Sequence, residues 1–193
     1  MTDPHDGKSL GIKPPTVKGD LILVSHDHFD HNSVRTVKGQ NSQVVDKPGK
    51  RVIQDMDLEG IMAFHDEVEG AKRGEDIIFK FKVGDMELVH LGDLGHIPEG
   101  ETLEKLKGAD IMFIPVGGVF TIDDHKAHDL IQLVRPKIAI PMHYRVGGLS
   151  LSIQPLKPFS ERFDPEMIMH VGNEVELLKE DLPEETEIWV FSL

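Results

Sequence analysis

Four side chains that can bind metal ions lie within six residues of one another near the N-terminus. His26, His28, Asp30 and His31 directly follow the apolar run 21–24. A strand ending here would deliver all four into one loop, and imidazole and carboxylate groups bind divalent cations. So many ionisable groups are costly to hold together unless a cation compensates them. The spacing predicts a metal site in which His26 and His28 bind one ion and Asp30 and His31 its neighbour; a polar loop with a chance histidine cluster is the alternative.

The composition restricts which other chemistry is available. The chain has eleven histidines and no cysteine, which excludes disulfides, thiolate nucleophiles and cysteine-bound zinc and leaves imidazole and carboxylate as the strong ligands. Its net charge of −13 would repel a phosphate backbone, so a nucleic-acid partner is disfavoured.

The length and hydrophobic content predict one domain covering residues 1–193. Hydrophobic residues make up 39% of the chain, enough for one substantial core. The longest apolar stretch, 111–120, is interrupted by Pro115, Gly117 and Gly118 and is too short to span a bilayer. Because the acidic N-terminus lacks the basic and apolar regions of a secretory signal, we expect a cytoplasmic protein with no membrane partner.

Short apolar or alternating runs predict a protein rich in strands. They lie at 21–24, 61–64, 77–83, 86–91, 111–114, 138–140, 175–178 and 188–191. The two runs on either side of Gly84-Asp85 indicate a β-hairpin, because glycine supplies the positive φ of a two-residue turn. The segments 12–19 and 46–51 are typical of loops, since they are rich in proline, glycine and lysine.

Helical patterns occur between the later strands. Residues 124–134 carry apolar side chains at helical spacing, with Thr121 to Asp124 resembling a capping box. The segments 102–107 and 158–163 are typical of shorter helices. Strands first and strand–helix alternation later predict an α/β domain in which sheet packs on sheet with helices outside.

The motif His-x-His-x-Asp-His after a strand resembles the signature of the metallo-β-lactamase superfamily. Three further segments, His-Leu-Gly-Asp-Leu-Gly-His at 90–96, Pro-Val-Gly-Gly-Val-Phe-Thr at 115–121 and Pro-Met-His-Tyr at 141–144, resemble the branch that includes ascorbate-6-phosphate lactonase-like proteins. The resemblance implies a four-layer αββα sandwich and a metal-dependent hydrolase.

The resemblance also implies the remaining metal ligands. Asp93 is expected to bridge two metal ions, and His143 to complete the second ion. The third histidine of the first ion is His65 or His90. We favour His65, which follows the run 61–64 and opens a loop, whereas His90 is three residues from Asp93 on one strand and would point to the opposite face.

The N-terminus departs from the family pattern. Asp3 resembles a buried acid that orients a ligating histidine, but the family has a pair of strands before it and this chain has only Met1-Thr2. The first sheet is therefore expected to be short at one edge. Either a second copy of the chain covers this edge in a homo-oligomer, or the natural product begins further upstream.

Four further residues are candidates for contact with a small, anionic substrate. His96 resembles a family position near the pocket. Arg145 lies two residues after the predicted ligand His143, and its guanidinium group has several N–H donors that can bind an anion. Gly118 and Thr121 belong to a loop before a helix, where backbone N–H groups can bind an anion. The alternative for this loop is a simple tight turn. The alternative for Arg145 is a surface salt bridge.

The expected activity is hydrolysis without a protein nucleophile. Two divalent cations would hold a bridging hydroxide against a small ester, lactone or phosphodiester, with Asp30 orienting the attacking water and Asp93 joining the ions. Zinc suits an imidazole-rich site, and manganese or iron fits mixed ligation nearly as well. The alternatives are a metal-binding protein without turnover and a di-iron redox protein.

Overall fold

The structure is a computed structural model that describes residues 1–192. Within them, a two-stranded sheet pairs β1 with β2, and an eight-stranded sheet has the order β3-β4-β5-β6-β7-β8-β10-β9. The strands are β1 (Gly19–Leu23), β2 (Lys38–Val45), β3 (Gly49–Ile53), β4 (Met56–Phe64), β5 (Glu75–Val83), β6 (Met86–His90), β7 (Ile111–Pro115), β8 (Ile138–Met142), β9 (Ile168–Val171) and β10 (Glu187–Phe191). The helices are α1 (Val34–Val37), α2 (Gly100–Leu106), α3 (Asp124–Val134) and α4 (Lys157–Ser160), with short 3₁₀ turns at Pro165–Met167 and Lys179–Asp181.

Alternating side chains on β1 hold the layers together. Leu21 and Leu23 pack with apolar residues of β4 and β5, which joins the small sheet to the large one. Ile22 and Val24 point the other way and pack with Val37 of α1. Because successive side chains of a strand face opposite sides, one strand contributes to two cores.

The largest core lies between the other face of the large sheet and the remaining helices. It includes Ile78 and Met112 from the sheet, Leu106 from α2, Ile131 from α3 and Phe159 from α4, all of them almost fully buried. Helix, sheet, sheet and helix therefore follow one another, and the predicted four-layer αββα arrangement is confirmed.

The direction of the strands explains where the site forms. β5 and β6 form the expected hairpin, with Val83 paired to Met86 across the turn. β6, β7 and β8 are parallel, with α2 and α3 in the connections between them. The carboxyl ends of parallel strands meet at one edge of a sheet, which is where α/β proteins place their sites.

Helix α3 has the expected bounds but a different cap. The side chain of Asp123 accepts a hydrogen bond from the backbone N–H of Lys126, so the predicted capping box beginning at Thr121 is wrong. Thr121 instead donates to the carbonyl of Ile122. The helix ends at Arg135 in a left-handed conformation, directly before Pro136, which cannot continue a helix.

Three strands and one loop differ from the sequence-based expectation. β2, β3 and β9 were not predicted, and β3 occupies part of the segment 46–51 that was expected to be a loop. β3 is an edge strand of its sheet, and charged residues are common on such edges because they oppose further pairing. The predicted strand 175–178 is wrong, because these residues lie outside the strands. Leu178 is 63% exposed, and its backbone N–H donates a hydrogen bond to the side chain of Asp181.

The N-terminal residues add a short extension to the small sheet. Thr2 forms a parallel bridge with Leu23, supported by hydrogen bonds from Asp3 N to Leu23 O and from Leu23 N to Met1 O. The first sheet is short, as expected, with two strands among the described residues. The homo-oligomer inferred from that edge stays a prediction. No helix among residues 1–192 has the length and apolar character required to cross a membrane.

Candidate metal centre

The ends of four strands place the seven predicted ligands together. The loop after β1 carries His26, His28, Asp30 and His31; His65 follows β4, Asp93 lies shortly after β6, and His143 follows β8.

The backbone at His143 has a conformation that is unusual for a residue other than glycine. His143 has a φ of 51°, in the left-handed region that side chains other than glycine seldom adopt. Gly117, two residues after β7, packs so closely that a Cβ there would lie 2.0 Å from the carbonyl oxygen of His143. Strained conformations of this kind persist where the surrounding structure enforces them, and they cluster at functional sites.

One group of possible ligands consists of His26, His28 and His65. Each offers a ring nitrogen within 4.8 Å of those of the other two. Their ring centroids are 4.6 Å apart for His26 and His28, 4.8 Å for His26 and His65, and 5.0 Å for His28 and His65. Three imidazoles that converge in this way match the ligand set of a divalent transition-metal ion.

A second group consists of Asp30, His31 and His143. Their ligand atoms also lie within 4.8 Å of one another. His31 Nε2 is 3.6 Å from Asp30 Oδ2, and the rings of His31 and His143 are 5.6 Å apart. Mixed imidazole and carboxylate ligation suits zinc, manganese or iron.

The carboxylate of Asp93 lies between the two groups. Its Oδ2 is 3.2 Å from His65 Nε2 and 3.8 Å from His26 Nε2 in the first group, and 3.4 Å from His143 Nε2 in the second. Its Oδ1 is 3.4 Å from His31 Nε2. Asp93 thus lies within 4 Å of histidines in both groups, which is the position of a bridging ligand.

The charges of these groups reinforce one another. Burial alone would raise the pKa of Asp93, but His31, His143 and His65 outweigh it and hold that pKa far below the usual range. Burial lowers the pKa of His31, yet Asp93, Asp3 and Asp30 together raise it to about 10. The site therefore attracts positive charge strongly, and the same attraction favours a metal cation.

Several buried polar atoms in this cluster fit a metal ion. Among residues 1–192, His26 Nε2, Asp93 Oδ1 and both ring nitrogens of His143 lack a hydrogen-bond partner. An unpaired buried polar group costs of the order of 1–3 kcal/mol. Nitrogen and oxygen atoms that converge without partners are the donor set of a metal centre, so the residues fit the expected cations.

The side chain of Asp3 is buried beside this cluster. Its carboxylate accepts hydrogen bonds of 2.7 Å from the backbone N–H and the hydroxyl of Ser25, and its Oδ2 lies 3.4 Å from His31 Nδ1. The Ser25 hydroxyl is also 2.9 Å from His26 Nδ1. Because Ser25 donates to Asp3, it accepts from His26 Nδ1–H, which leaves the Nε2 lone pair of His26 free for a ligand.

Asp76 is a second buried acid at the site, which the sequence analysis missed. Its Oδ1 lies 3.5 Å from His26 Nδ1 and accepts from the backbone N–H of Asp93 at 3.3 Å. Burial raises the pKa of Asp76, with His26 acting in the opposite direction. The available signal was an acid at the start of the apolar run of β5, where the other inward side chains are hydrophobic.

The geometry distinguishes between His65 and His90. His65 contacts Asp93 and belongs to the first ligand group. His90 is buried, but its Nδ1 accepts the N–H of Gly92 and lies 3.9 Å from Asp3. His65 is therefore the residue that the structure places with His26 and His28.

The four residues predicted to contact substrate do not line the cavities that contain the predicted ligands. His96 accepts from the N–H of Phe64 and lines a separate cavity with Glu67 and Glu99. The N–H groups of Gly118 and Thr121 are bonded within their own loop, to the carbonyls of Ile122 and Gly118 respectively, so they are not available to an anion. Arg145 is exposed, and the cavities that contain the predicted ligands are lined by other residues.

Three cavities contact the cluster. One, of about 400 Å³, is lined by residues that include His26, His28 and Arg73, and the other two share Asp30, Asp93 and Leu151. The larger of these two, of about 340 Å³, also contacts His31 and His143 and is mainly apolar; its other lining residues include Leu10, Ile12, Leu149, Ile153 and Phe191. The smaller, of about 230 Å³, contacts His28 and His65 and is also lined by Phe29, Arg73, Phe120 and Leu151. Arg73 was not predicted as a site residue, since nothing in its local sequence connects it to the histidines.

The comparison with known sequences agrees with this architecture. The beta-lactamase superfamily domain matches residues 1–143. A UPF0173 metal-dependent hydrolase of Staphylothermus marinus is 32% identical over 167 residues, which cover 76% of this chain and 69% of the relative. A protein of the same description from Thermoplasma acidophilum is 29% identical over 173 residues, 77% of each chain.

A solved structure is similar over nearly the whole chain. It comes from Thermotoga maritima, is described as a Zn-dependent hydrolase of the metallo-beta-lactamase superfamily, and superimposes with a TM-score of 0.80 at 33% identity, covering 98% of this chain and 87% of that one. The narrower resemblance to lactonase-like proteins stays a prediction. The chain thus belongs to the metallo-β-lactamase superfamily, within its UPF0173 family of metal-dependent hydrolases.

Proposed function

We propose that this protein is a dinuclear metal-dependent hydrolase of small esters, lactones or phosphodiesters. The observation that carries the proposal is the position of Asp93, whose two carboxylate oxygens lie within 4 Å of histidines in both ligand groups. In this proposal His26, His28, His65 and Asp93 hold one ion, and Asp30, His31, His143 and Asp93 hold the other. Zinc is the first choice because imidazole donors predominate.

The metal ions would supply Lewis-acid chemistry, polarising the scissile carbonyl or phosphoryl group and lowering the pKa of bound water. Asp30 lines both of the cavities that contact Asp93 and is assigned to orient the attacking water by accepting a hydrogen bond from it. Asp3, with Ser25, holds His26 and His31 in the ring orientations that ligation requires.

The cavities favour a small organic substrate. The cavity of about 340 Å³ has room for a few carbon and oxygen atoms beside His143, and its apolar residues would bind a hydrocarbon portion. The net charge of −13 supports a small molecule rather than a nucleic acid as the substrate, because a polyanion would be repelled.

The test is turnover by protein that has first been stripped of metal with a chelator and then reloaded with zinc, manganese or ferrous iron. The substrates are p-nitrophenyl butyrate, δ-valerolactone and bis(p-nitrophenyl) phosphate. We expect turnover of at least one to return with metal and to fall at least about 100-fold in Asp93→Asn, because Lewis-acid stabilisation is worth several kcal/mol.

Asp85→Asn, a change in the exposed hairpin turn, is the matched control and should retain activity. Reloaded wild-type protein that binds metal but hydrolyses none of the three substrates would overturn the proposal in favour of a metal-binding protein without turnover.

A further inference from the structure

One arginine stands at the entrance to the first ligand group. Arg73 lines the smaller cavity together with His28, His65 and Asp93. The other residues around that cavity include no lysine or arginine, and the chain as a whole has a net charge of −13. Asp30 and Asp93 at the same cavity are assigned to the metal ions. Arg73 is therefore the side chain that offers a fixed positive charge to an anion at this position.

The guanidinium of Arg73 is held in place without being neutralised. Its Cζ lies 4.5 Å from the centre of the Phe120 ring, a cation–π contact that orients the planar group. The nearby acid Glu67 is paired with Lys126 instead. Within residues 1–192 the structure records no carboxylate in salt-bridge distance of Arg73, so its N–H donors are available to a ligand.

The loop that carries Arg73 is organised by one buried carboxylate. Asp66 accepts four backbone hydrogen bonds of 2.8 to 2.9 Å, from Val68, Gly70, Lys72 and Arg73 itself. The backbone of Arg73 is therefore fixed in advance, which reduces the entropy that a binding partner must remove.

We propose that Arg73 binds an anionic group of the substrate, a carboxylate or a phosphate, while the scissile bond lies at Asp93 between the two ligand groups. This inference rests on the proposed function and narrows its substrates to those that carry a negative charge a few bonds from the reacting centre. The guanidinium fork suits such groups because it forms two parallel N–H···O bonds to them. Arg73 takes the role that the sequence analysis gave to Arg145.

The test compares the binding of a dicarboxylate and a monocarboxylate to zinc-loaded protein. Glutarate and pentanoate have the same number of carbon atoms, and both can present one carboxylate to the metal centre; only glutarate has a second for Arg73. Isothermal titration should show glutarate binding about tenfold more tightly, the size expected for a charge-assisted pair.

Two variants assign that preference to one side chain. In Arg73→Gln the preference should fall to about threefold or less, and Arg73→Lys should restore only part of it, because lysine keeps the charge but loses the fork. Lys72→Gln removes the same charge from the neighbouring exposed residue and should keep the full preference. Zinc content should be equal in all four proteins.

Hydrolysis of mono-p-nitrophenyl glutarate and p-nitrophenyl pentanoate extends the same comparison to turnover. Arg73→Gln should raise KM for the charged ester and leave KM for the neutral one unchanged. If no ester is hydrolysed but the glutarate preference persists and depends on Arg73, the proposed function fails and the anion site stands. If glutarate and pentanoate bind equally, or the preference survives in Arg73→Gln, the inference about Arg73 is overturned.

Discussion

The side chains around His26 illustrate how single residues prepare this site. Its Nδ1 faces the hydroxyl of Ser25 at 2.9 Å and Asp76 Oδ1 at 3.5 Å, while its Nε2 points toward Asp93. Acceptors on one side of the ring fix the proton at Nδ1 and present the other nitrogen as a ligand. A histidine held in this way binds a metal ion without first having to reorient.

Asp76→Asn should weaken metal binding while preserving the fold. The amide oxygen can still accept the N–H of Asp93, but the negative charge beside His26 is lost. Changes to groups that orient a ligating histidine lower metal affinity about 10- to 100-fold. Competition with a chromophoric zinc chelator measures the effect, with Asp85→Asn in the exposed turn as control; equal affinity in Asp76→Asn and wild-type protein would contradict this role.

Spacing within one segment identified four of the ligands, and the family resemblance identified the other three, His65, Asp93 and His143. His26, His28, Asp30 and His31 share one loop, so a single segment was enough to indicate a metal site. Asp76 and Arg73 reach the centre through contacts between segments that are distant in sequence. The acid at the start of the apolar run of β5 was the local signal for Asp76, but it does not indicate which residues Asp76 contacts.

At the scale of elements, the turn after β6 depends on a glycine. Gly92 has a φ of 55°, and a Cβ there would lie 2.4 Å from Asp76 Oδ1 and 2.7 Å from the Cβ of Ser25. The close approach lets Asp93 and Asp76 reach the same cluster. Gly84, in the hairpin turn, has a similar φ of 59° but nothing within 4 Å of its position for a Cβ.

The two glycines make a matched pair of variants. Gly84→Ala should lower the free energy of unfolding by roughly 1–2 kcal/mol, the cost of a left-handed conformation. Gly92→Ala should cost about 1–3 kcal/mol more, because the added methyl group also overlaps packed atoms. Urea denaturation of metal-free protein measures both, and equal losses would show that the close contacts at Gly92 have no energetic consequence.

Elements with strong periodicity were predictable, and those defined by their partners were not. Helix α3 has the expected bounds, and the β5–β6 hairpin turns at the expected residues, because their apolar spacing and turn residues agree. β3 carries Gly49, Lys50 and Arg51, a composition typical of a loop, and becomes a strand only because β4 offers it an edge. The segment 175–178 shows the reverse, since within residues 1–192 its alternating side chains have no neighbouring strand with which to pair.

At the scale of the whole molecule, the metal centre joins parts that otherwise meet through packing and through hydrogen bonds such as that from Ile77 N to Ser25 O. Its ligands come from the loop after β1, beside the small sheet, and from the ends of β4, β6 and β8 in the large sheet. Ions bound between them would connect the two sheets across the sandwich, so metal binding and folding should be coupled.

Removing the metal should therefore lower thermal stability. Zinc at 100 times its dissociation constant would stabilise the folded state by about 2.7 kcal/mol per site, and the Tm of stripped protein should rise as zinc is added. Differential scanning calorimetry with and without zinc measures this. A Tm that is independent of zinc, or one that rises equally in Asp93→Ala, would contradict coupling through this centre.

The central claim is that these side chains hold two metal ions joined by Asp93, and elemental analysis of purified, zinc-reloaded protein by mass spectrometry tests it most directly. The account predicts two ions per chain in the wild-type protein and loss of bound metal in Asp93→Ala and His143→Ala. One ion or none per chain in the wild type, or two ions retained in Asp93→Ala, would contradict it.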